Sequence, residues 1–185
     1  MTPYAIVVFL HLFGMVGLFV GYGLEWAASS LLCRSTTAEQ ARSWLRIYRL
    51  SMPISGPGLL LLIITGGYLA SVTGSMKQGW ISASLLGIIF ALGIGFVFIL
   101  PRVRRIRAAL PEGNVALAPA GIGLVSDPVI VTLIRVRGLL ALGIVFLMTT
   151  KPEMLVTSLF VLLGFTVAGM LCAASSWTSR PPRGA

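Results

Sequence analysis

The chain is short of every residue type that builds a self-contained polar site. Among 185 residues it has one histidine, two cysteines and five acids, against fourteen lysines and arginines. One imidazole and two thiols cannot assemble a zinc cage. Cys33 and Cys172 both fall at arginine-rich helix ends, on the side read below as cytoplasmic, so reduced thiols are expected and no disulfide. No C-x-x-C, H-E-x-x-H, Walker loop or Rossmann glycine fingerprint occurs. The only acid on an external segment is Glu153, which leaves a Ser–His–acid triad without its third member. Period-two alternation is also missing, which excludes the strands of a membrane barrel and leaves helices.

What is abundant is apolar length. Hydrophobic residues make up 57% of the chain and charged residues 10%, with a mean hydropathy of +0.97. A membrane helix needs about 20 predominantly apolar residues. Five segments meet or approach that length: 4–28, 52–72, 80–100, 129–148 and 154–174. The expected fold is therefore all-α, a polytopic membrane bundle of five transmembrane helices forming a single domain over 1–185. The fourth span must start near Val129 to be long enough, which places Arg135 and Arg137 in its inner third. They lie roughly 200° apart on a helix, so at most one is expected to face the interior.

The arginines set an orientation. Arg34, Arg42, Arg46 and Arg49 follow the first span. Arg102, Arg104, Arg105 and Arg107 follow the third, Arg135 and Arg137 open the fourth, and Arg180 and Arg183 lie in the tail. The other side holds only Lys77 and Lys151. The positive-inside rule then puts the N-terminus outside and the C-terminus in the cytoplasm of a bacterial inner membrane. The first span has no basic n-region and exceeds a signal h-region in length, so it reads as a retained helix. The net charge of +9 is a topology and headgroup signal rather than a nucleic-acid footprint, since the arginines flank spans. The longest non-spanning stretch is 101–128, and its apolar 115–125 section is expected at the membrane interface.

His11 lies within the first apolar span. An imidazole at that depth needs a partner and marks a site by default. The candidates are a metal, a haem iron, a proton or a neighbouring helix. Gly14, Met15, Leu18, Tyr22 and Glu25 share its helical face. Gly17-x-x-x-Gly21 is the pattern of close helix packing. Glu25 falls near the arginine-rich end, where an ion pair with Arg49 or Arg135 is expected. In the second span Pro53 fits a first helical turn. Pro57 between Gly56 and Gly58 reads either as a packing kink or as the wall of a cofactor cavity against the first helix. Gly66-Gly67-Tyr68 marks another close contact, and Tyr68 and Trp80 read as interfacial anchors.

The order of these features resembles the HemJ type of protoporphyrinogen oxidase and its CopD-like and uncharacterised bacterial relatives. The resemblance runs over about residues 4–152. It rests on His11-Leu12-Phe13-Gly14, on Arg49-Leu50 with Pro57-Gly58 following, on Gly79-Trp80-Ile81, on the basic run 102–107, on Asp127-Pro128 and on Lys151-Pro152. It implies a four-helix unit with one added C-terminal helix, and a b-type haem with His11 as axial ligand. Gly14, Arg49 and Pro57 would line the cofactor, with Arg49 on a carboxylate or propionate. The second axial position stays open: Met148, Met154, His11 of a second copy, or none in a five-coordinate haem; His/Met ligation is one of the known haem modes. Where the enzymes carry a lysine beside the second-helix arginine this chain has Tyr48. Where they carry polar residues early in the third helix it has Ser82, Ala83 and Ser84. The resemblance thus implies haem-based electron transfer or porphyrin chemistry more than the oxidase activity itself. The alternatives are an accessory subunit of a larger membrane complex, and a copper-handling or permease-like protein using His11, Met76, Met148 and Met154. Expected partners are the bilayer and a second copy or a larger complex, with no nucleic acid.

Overall fold

The structure is a computed structural model that describes residues 2–73 and 77–178. Met76, Arg180 and Arg183 lie outside the described residues. The elements are α1 (Pro3–Leu32), α2 (Ala38–Val72), α3 (Gly79–Ala109), α4 (Pro119–Val125), α5 (Pro128–Thr150) and α6 (Leu155–Thr178). Five helical stretches are long and apolar enough to cross a membrane, and no strand occurs among the described residues. The all-α expectation holds. Contacts group the chain into two compact units, 1–78 with 103–127, and 79–102 with 128–185.

The helices outrun the apolar segments that announce them. In α1, Pro3 occupies the first turn and the Thr2 hydroxyl accepts from the Ala5 N–H at 3.4 Å, as an N-cap should. α2 starts fourteen residues before its expected span. The Thr37 hydroxyl accepts from the Gln40 N–H at 3.3 Å, and the Gln40 side chain accepts from the Thr36 N–H at 3.1 Å. This reciprocal cap is a strong helix start, and the polar turns that follow need no apolar face. Pro53 is therefore well inside the helix and not in its first turn. Both Pro53 and Pro57 are exposed on its outer side.

α3 also continues past its expected end, through the arginine run to Ala109. Its residues Ile94–Ile99 form a π-helical segment, closed by the Leu100 N–H bonding to the Gly95 carbonyl. Such wide turns are rare insertions in an α-helix. Pro101, which has no N–H to give the preceding turn, follows directly.

In the first unit α1 and α2 are antiparallel neighbours joined by five residues. The buried positions of α1 (Gly14, Leu18, Gly21, Glu25, Ala28, Leu32) recur at steps of three and four, a single stripe. A Cβ on Gly58 would meet the Gly14 carbonyl oxygen at 2.8 Å and the Leu18 nitrogen at 2.9 Å. The backbones touch there. Gly21 is similarly closed by Ser51 and Ser55, whereas Gly17 has its nearest neighbours at 3.6 Å. The tight positions are thus Gly14, Gly21 and Gly58, rather than the Gly17–Gly21 pair expected from the pattern.

The second unit is built on α5. Ala83, Ala91, Leu140, Ile144, Leu147 and Leu162 form its core, with Trp80 and Met148 packed alongside. Gly79 donates its N–H to the Glu153 carbonyl at 3.3 Å. Arg135 is buried and gives an N–H to the Cys172 carbonyl at 2.6 Å, and the Arg137 guanidinium rests on Gly95 in the π segment. Arg135 is the buried one of the two, and Arg137 is half-buried.

Candidate functional site

The site around His11 is made by α1 and α2 alone. Opposite the imidazole, α2 presents Thr65 and Gly66. The His11 Nδ1 lies 2.9 Å from the Thr65 hydroxyl oxygen. A Cβ on Gly66 would stand 3.1 Å from Cε1 of the ring. The missing side chain at 66 leaves room for the Cε1–Nδ1 edge of the imidazole against α2.

The hydrogen bonds fix the tautomer. Thr65 gives its hydroxyl proton to the Leu61 carbonyl at 2.6 Å, one helical turn back. A hydroxyl has a single proton, so its oxygen receives from the Nδ1–H of His11. The neutral ring then has its lone pair on Nε2. A ring oriented through Nδ1–H by a polar partner, with its lone pair on Nε2, is the arrangement of a metal-ligating histidine and its supporting shell.

Gly14 is one turn from His11, but Gly58 of α2 fills the space over it. A flat cofactor has no room between the two helices. Of the two readings of Pro57-Gly58, the structure shows close packing: Gly58 makes the contact and Pro57 points outward. Arg49 is also not brought to His11. It is sixteen residues from Thr65, about 24 Å along α2 at roughly 1.5 Å per residue, beyond a single planar ligand held at His11.

Nor does Arg49 meet Glu25. Arg49 is exposed. Glu25 is buried at 3% exposure, and its Oε1 accepts from the Ser51 hydroxyl at 3.0 Å. Arg49 lies two residues before Ser51, hence on nearly the opposite side of α2, and the pair with Arg49 does not close. Met148 belongs to the second unit, where it packs against the core around Leu147. Met154 is exposed in that unit. Of the later polar positions, Ser82 is exposed, and the Ser84 hydroxyl is buried with no hydrogen-bond partner among the described residues. No group of three or more His, Cys, Asp or Glu converges among the described residues.

The sequence reading missed Thr65. A lone hydroxyl in the apolar run Leu59–Ile64, directly before Gly66-Gly67, was the available signal. In an antiparallel pair that matches Gly14 with Gly58, Leu61 stands opposite His11 and Thr65 lies one helical turn further along, within reach of the imidazole.

Over residues 5–152 the chain matches the model of a family described as predicted integral membrane protein (DUF2269), and it belongs to that family. The matched region takes in the first four spans and stops before α6. No curated protein matches the chain, and no solved structure does. The family match supplies no link to HemJ-type or CopD-like proteins.

Proposed function

We propose that this integral membrane protein binds a b-type haem through Nε2 of His11 and serves electron transfer or porphyrin chemistry. The observation that carries the reading is the Thr65–His11 bond. It holds the imidazole in the tautomer that a haem iron requires, with one ring edge against Gly66. The donor set thus fits a haem ligand, with Thr65 as its support. The macrocycle would lie on the outer surface of the α1–α2 pair, because the glycine contact closes the space between them. When bound, the iron supplies one-electron redox chemistry. His11 would hold it through Nε2, and Thr65 would orient the ring. The proposed setting is a bacterial inner membrane with the N-terminus outside.

The same hydrogen bond supports a second reading, in which His11 is an interhelical tie and the protein an accessory subunit. One experiment separates them. The protein is purified in mild detergent from cells supplied with haem precursor, and its spectrum is recorded with and without dithionite. A Soret band that His11→Ala abolishes, with helix content unchanged, is the expected result. A colourless, folded wild-type protein refutes haem binding and leaves the tie.

A further inference from the structure

The arginines of the first unit are unequally employed. Arg42 is committed: its guanidinium donates to the Pro111 and Gly113 carbonyls. That clasp draws residues 110–118 across the end of the α1–α2 pair. The strap is fixed again by the Ala38 N–H to the Val115 carbonyl and the Leu117 N–H to the Thr36 carbonyl, each at 2.9 Å. Arg34, Arg46, Arg49, Arg104, Arg105 and Arg107 are different. All six are exposed, and none makes a hydrogen bond or ion pair among the described residues. Glu39 and Glu112 are exposed nearby in sequence without pairing to them.

Their depth is set by the helices. Arg49 is the last charge before the run Leu50–Val72 of α2, which is about 34 Å long at roughly 1.5 Å per residue. Arg102 to Arg107 stand at the end of an equal run from Gly79 in α3. A hydrocarbon core is about 30 Å thick, so both sets emerge at the level of lipid phosphates. Beside them the strap exposes Val115, an apolar contact at the same boundary. An unpaired guanidinium at that depth matches a phosphodiester, which accepts two parallel N–H bonds from its planar fork.

We infer that Arg34, Arg46, Arg49, Arg104, Arg105 and Arg107 form a binding surface for the anionic phospholipid headgroups of the leaflet they face. The surface takes phosphatidylglycerol or cardiolipin in preference to zwitterionic lipid, since the net charge and not the phosphate alone is recognised. It is independent of His11 and of any haem.

The test is native mass spectrometry of the full chain in detergent, titrated with cardiolipin, phosphatidylglycerol or phosphatidylcholine. The wild type is expected to retain the two anionic lipids at least tenfold better than phosphatidylcholine. Arg46→Gln with Arg49→Gln, and separately the Arg104→Gln, Arg105→Gln, Arg107→Gln combination, should each reduce that preference several-fold. The Lys substitutions should restore only part of it. Equal retention of anionic and zwitterionic lipid by the wild type overturns the inference whatever the variants do. So does an undiminished preference in variants whose helix content matches the wild type.

Discussion

Gly58 and Gly17 both face the α1–α2 interface, yet a methyl group should have opposite consequences at the two positions. At Gly58 the new Cβ would approach Gly14 O at 2.8 Å, Leu18 N at 2.9 Å and Gly17 C at 3.2 Å. All three are backbone atoms and cannot turn aside as a side chain would. The helices must part by about half an ångström, a gap that already forfeits roughly a quarter of the dispersion well for each atom pair along the contact. Overpacking of this kind costs about 1–3 kcal/mol. The better helix preference of alanine returns about 0.5–1 kcal/mol, so Gly58→Ala should destabilise by about 1–2 kcal/mol. At Gly17 the nearest atoms are at 3.6 Å, an ordinary contact, and Gly17→Ala should be neutral or stabilising by about 0.5 kcal/mol. Gly67, with nothing within 4 Å of its Cβ position, is the open-surface control. Unfolding is followed by far-UV circular dichroism as SDS is titrated into mixed micelles. If Gly58→Ala unfolds at the same SDS fraction as Gly17→Ala, the backbone contact is not what holds the pair together.

Thr65→Val keeps the shape and removes the acceptor of the His11 Nδ1–H; it should cost about 0.6–1.7 kcal/mol, the range of interhelical bonds in membrane proteins, measured in the same titration. Arg42→Gln should release the strap, seen as faster amide exchange at Ala38 and Leu117 with the rest of α1 and α2 unchanged; unchanged exchange there would refute the clasp. For orientation, Cys33 is a poor reporter because it is buried at 2% exposure. Asn114→Cys, exposed on the strap, should react with an impermeant thiol reagent only after the cells are opened, and labelling of intact cells would reverse the topology.

The spans were legible because bilayer thickness imposes a minimum apolar length, and each of the five helices contains such a run. Helix ends were not, since a reciprocal cap at Thr37 or a basic turn at Arg104 continues a helix without adding hydrophobicity. His11 was legible as an anomaly of solvent. Its partner was not, because Thr65 is fifty-four residues away and only the register of two helices brings them level. Arg49 illustrates the opposite failure: its depth near the arginine-rich end of α1 suggested a pair with Glu25, and its place on the exposed side of α2 removed it. The surroundings of Arg135 and Arg137 in α5 were unreadable for a similar reason. A wheel gives the angle between two residues but not which helices stand on either side.

The strap has a consequence in time as well as in space. α1 and α2 are joined by five residues and meet along their length, so the pair closes a short loop and needs nothing from the rest of the chain. Residues 110–118 are made later, and their bonds to Thr36, Ala38 and Arg42 can form only on a hairpin already in place. Biogenesis is thereby ordered. The His11 seat would be complete when residue 66 has been inserted, well before the polypeptide that latches its far end has left the ribosome.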